Sequence, residues 1–196
     1  MSEHPLRDHI RQVMAAYEPQ AIEHDPALFS AAVLVLLHNQ GGNLHVIFQK
    51  RTDKVDAHKG QVSFPGGGAD PEDADLVATA LRETHEEIGV HPSHIEILGQ
   101  LDDIRTISNF AVTPYVGWLD QHPYEWQFSH DEVAYLLEVP LTHLRDVANF
   151  EPDRRTVNGR EVVMPAYNFQ ADLIWGATAR MLTNFLDLLE ALPPPA

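Results

Sequence analysis

Phe64-Pro65-Gly66-Gly67-Gly68 leaves few options for the segment around it, because three glycines without side chains let the backbone bend sharply and bring its carbonyls close to whatever lies beside them. The residues that follow look helical. Asp70-Pro71-Glu72-Asp73 carries helix-start chemistry, and the pattern predicts a helix from about Glu72 to Ile88, stopped by Gly89. At about 100° per residue, Val77, Leu81, Thr84 and Ile88 form one stripe, while Glu83, Glu86 and Glu87 gather on another face. Such carboxylates repel one another by about 0.2–0.5 kcal/mol per pair unless a cation sits among them. Mg²⁺ and Mn²⁺ favour oxygen ligands and suit this face better than zinc does. An arbitrary acidic helix face is usually only solvated. The glycine bend just upstream, and Arg82 in position to hold carboxylates by charge-assisted hydrogen bonds, shift the balance towards a metal site.

Composition narrows the surroundings. A chain of 196 residues is expected to form one domain over 1–196, with a helical extension at 1–29 and a closing helix at 171–196. No apolar run, Ala31 to Leu37 included, approaches the roughly 20 residues that span a bilayer, so no membrane partner is expected. The amino terminus lacks a basic stretch followed by an apolar one, which sets a cytoplasmic expectation. Without cysteine there is no disulfide framework, thiolate zinc site or thiol nucleophile. A net charge of -16 argues against polymeric nucleic acid as a partner. The three lysines, Lys50, Lys54 and Lys59, nevertheless lie with Arg51 in one ten-residue stretch, a local patch for a small anion.

Elsewhere the pattern predicts a first helix over Pro5 to Tyr17. Strands at Ala31 to His38 and Leu44 to Lys50 should be joined through Gly41-Gly42, followed by an ordered loop from Arg51 to Phe64. Further strands are expected at His94 to Leu101, Val112 to Leu119 and Val133 to Val139, with a short helix from Pro140 to Leu144. A strand from Glu161 to Phe169 should pair with Arg154 to Val157 across Asn158-Gly159, and a last helix should run from Ala177 to Leu192. This order indicates an α/β (α+β) arrangement, a mixed sheet packed between helices.

The segment from Gly67 to Val90 resembles the Nudix box, Gly-x5-Glu-x7-Arg-Glu-U-x-Glu-Glu-x-Gly-U with U apolar. Arg82, Glu83, Glu86, Glu87, Gly89 and Val90 fall where the pattern asks. Thr84 stands at a usually apolar position, Asp73 stands where Glu is expected, and eight residues rather than seven separate it from Arg82. Ile47-Phe48-Gln49-Lys50-Arg51-Thr52 and Gly60 to Gly67 resemble the signature of the coenzyme A pyrophosphatase branch, whose box also tends to open with Asp-Pro-x-Asp. Gln49, Thr52 and Asp56 depart from that signature, while Asp172 to Arg180 is similar to a late segment of the branch.

The resemblance implies a Nudix-like mixed sheet between helices and a Mg²⁺- or Mn²⁺-dependent hydrolase cleaving coenzyme A to 3′,5′-ADP and 4′-phosphopantetheine, with acyl derivatives as further substrates. Glu83 and Glu87 would be metal ligands, Glu86 a further ligand or the base, and a Gly66 or Gly67 carbonyl another ligand, with Arg82 part of the catalytic set. Arg51, Lys59 and Gly60 are the candidates for substrate contact. The resemblance is compatible with a homodimer. Glu132 is weighed first as a solvated strand-edge acid and second as an extra carboxylate for the site, and Trp175 first as core and second as a base-stacking ring. His58, His85 and Ser63 receive no role. The competing functions are a Nudix hydrolase of ADP-ribose, a reduced dinucleotide or a dinucleoside polyphosphate, a non-catalytic nucleotide sensor, and an acidic interaction domain without ligand.

Overall fold

The computed structural model describes residues 4–23, 25–54, 59–121, 123–157 and 160–191. Asp56, His58 and the Asn158-Gly159 turn lie outside the described residues. Helix α1 (Pro5–Ala16) begins on a proline and buries Ile10, Val13 and Met14. Strands β1 (Phe29–Gln40) and β2 (Asn43–Arg51) form the expected hairpin, with Asn39 Oδ1 accepting the Gly42 amide at 3.0 Å. Strands β3 (Val62–Ser63) and β4 (Gly66–Gly68) follow, then helix α2 (Leu76–Ile88) and strands β5 (Ile95–Gln100), β6 (Ile104–Arg105), β7 (Phe110–Leu119) and β8 (Val133–Pro140). The chain closes with α3 (Leu141–Arg145), the short strands β9 (Asp153–Val157), β10 (Arg160–Met164), β11 (Tyr167–Phe169) and β12 (Asp172–Ile174), and α4 (Gly176–Ala191).

The main sheet has eight strands in the path β3-β2-β1-β7-β5, with β4 beside β1, β6 beside β7 and β8 beside β2. It is mixed: β1 and β7 run parallel from Phe29↔Phe110 to His38↔Leu119, and the other pairs are antiparallel. Side chains alternate across it. Val35, Leu37, Val46 and Phe48 face one core with α1 and α4, where Leu182, Phe185, Leu186 and Leu189 form the buried helical stripe. Leu34, Leu36 and Ile47 face a second core with Ile88 of α2, Val90 and partly buried Tyr124, Trp126 and Phe128. Each fully buried aliphatic or aromatic side chain contributes about 1.5–3 kcal/mol, so the first layer fixes α1 and α4 against the sheet and the second fixes α2.

The elements differ from the sequence expectation most at the following places. Helix α2 starts at Leu76, not near Glu72, because Asp75 is the cap, accepting the Ala78 amide at 2.8 Å, while Asp70 to Asp73 closes a turn of its own. The loop between Arg51 and Phe64 contains β3, and the glycine run is itself a strand, paired with Ala31 to Val33. The expected strand from Glu161 to Phe169 is two strands with different partners, β10 on β9 and β11 on β12, parted around Pro165, which has no amide hydrogen for a ladder.

Candidate active site

The glycine bend and α2 meet at Glu83. A Cβ on Gly67 would lie 2.5 Å from the Glu83 carboxyl carbon, so the absence of a side chain there is what lets the carboxylate rest on the β4 backbone. Gly66 is as confined, since at φ 146° its added Cβ would sit 2.3 Å from the Ala32 carbonyl oxygen. Burial pushes the Glu83 carboxyl up, and Arg82 pulls it back down.

Arg82 has five N–H groups, and each has an acceptor. Its Nε and Nη2 grip the two Asp73 oxygens at 2.9 Å each, Nη2 also reaches the Gly68 carbonyl at 3.1 Å, and Nη1 reaches Glu83 at 2.7 Å and Glu86 at 3.3 Å. All five Arg82 donors are thus engaged by protein acceptors, and the side chain ties Asp73 to Glu83 and Glu86. Asp73, which also accepts from the Asp70 amide and the Thr79 hydroxyl, is held well below the usual carboxylate range, chiefly by Arg82. The added residue and the Asp in place of Glu thus have a structural reason: a short acid in a tight turn meets the guanidinium fork from below.

The three glutamates lie at different depths on the helix. The buried stripe of α2 contains Ala80, Thr84, Glu87 and Ile88, because the helix is pressed against the sheet through that side. Thr84 fits this apolar setting by donating its hydroxyl to the Ala80 carbonyl at 2.6 Å. The Glu87 side chain is only 3% exposed, whereas that of Glu86 is 58% exposed. Glu87 accepts from Gln49 Nε2 at 2.7 Å and the Gly66 amide at 2.8 Å on Oε2, and from Arg51 Nη1 at 3.0 Å on Oε1. Burial nevertheless dominates and pushes its carboxyl up to about 7.

Among the described residues, no three acidic or imidazole groups converge on one point. The donor chemistry still fits a hard divalent cation. Glu86, Glu87 and Glu132 each raise or are raised by the charge of Glu83, so these acids are close enough to repel, and an added positive charge relieves that repulsion. Glu132 is exposed, and its segment is tied to the helix end, with the Ser129 amide donating to the Glu87 carbonyl and the Glu132 amide to Ser129. The charge coupling of Glu132 to Glu83 is what the sequence could not supply.

The basic stretch is largely neutralised within the protein. Lys50 is bonded to Asp172 at 2.6 Å, Arg51 to Glu87, and Lys54 to Asp131 at 3.0 Å. Lys59 is exposed, and Gly60 turns the chain at φ 63° beside Asp53. Trp175 is half-buried ahead of α4, and His85 is exposed with its ring 5.6 Å from that of His91. An open groove of about 450 Å³, lined by Phe29, Ser30, Gly68, Ala69, Asp70 and Phe110, adjoins the glycine bend. Asp73 and Gln49, which hold Arg82 and Glu87, were not selected from the sequence. The one-residue insertion pointed to Asp73, and the departure of Gln49 from the branch signature pointed to Gln49.

A mixed sheet carrying a glycine strand against an acidic helix now has counterparts. Residues 28–157 match the NUDIX domain family, and the chain belongs to it. Members are hydrolases of pyrophosphate linkages that generally use divalent cations. The chain is 36% identical over 156 residues to the peroxisomal coenzyme A diphosphatase NUDT7 of Mus musculus, a match covering 76% of this chain and 66% of the mouse protein. It is also 36% identical over 156 residues to the uncharacterized Nudix hydrolase NudL of Enterobacter sp. (strain 638), covering 78% of each. The crystal structure of a MutT/nudix family protein from Enterococcus faecalis superposes with a TM-score of 0.55 at 15% identity over 97% of this chain and 75% of that one, a likeness of fold. No described helix is long and apolar enough to cross a membrane.

Proposed function

We propose that this protein hydrolyses the pyrophosphate bond of coenzyme A or its acyl derivatives, releasing 3′,5′-ADP and (acyl-)4′-phosphopantetheine. The observation that carries the reading is the Glu83 carboxylate seated on Gly67, with Glu86 and Glu87 on the same helix. The similarity to a coenzyme A diphosphatase supports the substrate class.

Glu83, Glu86, Glu87 and the Gly67 carbonyl would hold Mg²⁺ or Mn²⁺. A bound cation of this kind neutralises the diphosphate and makes attack by water feasible near neutral pH. The chain's own part is geometric. Asp73 and Arg82 keep Glu83 against β4, and Glu87 is pinned from β2 and β4. Exposed Glu86 can take the proton of the attacking water, with Glu132 the second acid in range of the same charge. Water adds to one phosphorus, the P–O–P bond breaks, and the other phosphate leaves with the bond electrons. Lys59 and Gly60 would contact the substrate, and Arg51 would act on it through Glu87. The groove beside Gly68 can take an extended arm of the substrate.

Product analysis after incubation with coenzyme A, Mn²⁺ and ¹⁸O-labelled water tests this, with label expected in one product and no turnover after chelation. Ranking kcat/KM against ADP-ribose, NADH and a dinucleoside polyphosphate tests the substrate; coenzyme A falling low in that order rejects it in favour of another nucleoside diphosphate derivative.

A further inference from the structure

Gln49 is fully buried on β2, directly opposite Ser63 of β3. Its amide nitrogen and the Gly66 amide both donate to Glu87 Oε2, and Arg51 Nη1 donates to Oε1. A carboxylate offers about four lone-pair directions. Two donors fill Oε2 and one occupies Oε1, so the direction left open is on Oε1.

Three further polar atoms in this layer are shielded from solvent and have no hydrogen-bond partner among the described residues: Gln49 Oε1, Arg51 Nε and Ser63 Oγ. Buried polar atoms left this way are costly, and a function is the usual reason they are kept. Their chemistry is complementary. Gln49 Oε1 can only accept, Arg51 Nε can only donate, and the Ser63 hydroxyl does both, so one bridging water among them completes the set. The orientation of the Gln49 amide matters, since a flip would turn its oxygen onto the Glu87 carboxylate.

We propose, resting on the metal-dependent function above, that Gln49 and Ser63 are positioning residues which, with Arg51 and the Gly66 amide, lock the Glu87 carboxylate in place with Oε1 as the oxygen that would be left open to a divalent cation. In this arrangement Gln49 sets the carboxylate directly, and Ser63 acts on the Gln49 amide through the bridging water. Neither touches the substrate.

The test is Mn²⁺ titration calorimetry on the intact protein, beside kinetics with coenzyme A at saturating Mn²⁺. Gln49→Met, close in volume but without a donor, should weaken Mn²⁺ binding by about tenfold or more, while KM for coenzyme A stays within about twofold. Ser63→Ala removes a hydroxyl that has no direct protein partner; a purely structural serine would leave Mn²⁺ affinity unchanged and stability equal or higher. Under the proposal it lowers Mn²⁺ affinity by a few-fold without lowering the melting temperature of the chelated protein. If Gln49→Met does not fold, Ser63→Ala decides alone. Wild-type Mn²⁺ affinity in Ser63→Ala, or in both variants, overturns the proposal while leaving the enzyme reading standing. A wild-type protein that neither binds Mn²⁺ nor cleaves any diphosphate removes the enzyme reading and this inference together.

Discussion

Glu83 is half-buried, raised by burial, and beside three other acids, so in the metal-free protein its charge is a source of repulsion. Glu83→Gln keeps the shape and removes that charge. Under the proposed function turnover should fall by about a hundredfold or more, since a carboxylate that would hold the charge-balancing cation is lost, while the melting temperature of the chelated protein stays level or rises. A variant with near-normal rates would remove Glu83 from the metal set. Asp73 makes a different case, because it reaches the site only through the Arg82 guanidinium. In Asp73→Asn one of the two fork contacts meets an NH₂ group, so Arg82 loosens its hold on Glu83. The expected result is a fall in kcat of about tenfold with KM for coenzyme A little changed. A rise in KM alone would show that Arg82 contacts substrate instead.

At the level of elements, the β4–α2 unit depends on the lack of side chains on the bend. Gly67→Ala places a methyl 2.5 Å from the Glu83 carboxyl carbon, and Glu83 has to leave the β4 backbone. Activity should drop by at least about tenfold with a melting temperature close to wild type, because the carboxylate can swing outward while the strand stays paired. An active Gly67→Ala would mean that the seat is unimportant. Asp75→Ala, by contrast, removes only the helix cap and should cost about 1 kcal/mol of stability with kcat unchanged. This unit was legible in the sequence because its chemistry is local: bend, acidic turn and stop residue lie within one short stretch. Its start was misplaced since Asp70 to Asp73 carries the same residue types as a cap, and only the guanidinium of Arg82 decides their use. The depth of Glu87 was not legible at all. It is set by Gln49, 38 positions away, and by which side of α2 meets the sheet. The parallel pairing of β1 with β7 likewise joins segments whose local patterns say nothing about one another.

Across the whole molecule, a net charge of -16 opposes every anionic substrate that approaches. Three of the four basic residues of the stretch from Lys50 to Lys59 are already paired with carboxylates, as is Arg82, and Lys59 is exposed. Repulsion at a distance is screened by salt, with a Debye length of about 10 Å at 0.1 M, whereas contacts inside the site are screened far less. The sign follows: kcat/KM for coenzyme A should rise a few-fold between about 0.02 and 0.15 M NaCl, through a falling KM. Salt also weakens cation binding to acidic side chains, which works in the opposite direction, so Mn²⁺ must be saturating at every ionic strength. Lys59→Ala should then steepen the rise, because it deletes attraction at the mouth and leaves the repulsive field unopposed. A kcat/KM that falls with salt in the wild type, and becomes flat in Lys59→Ala, would show instead that this one lysine governs the encounter and that the distant acidic surface has no kinetic weight.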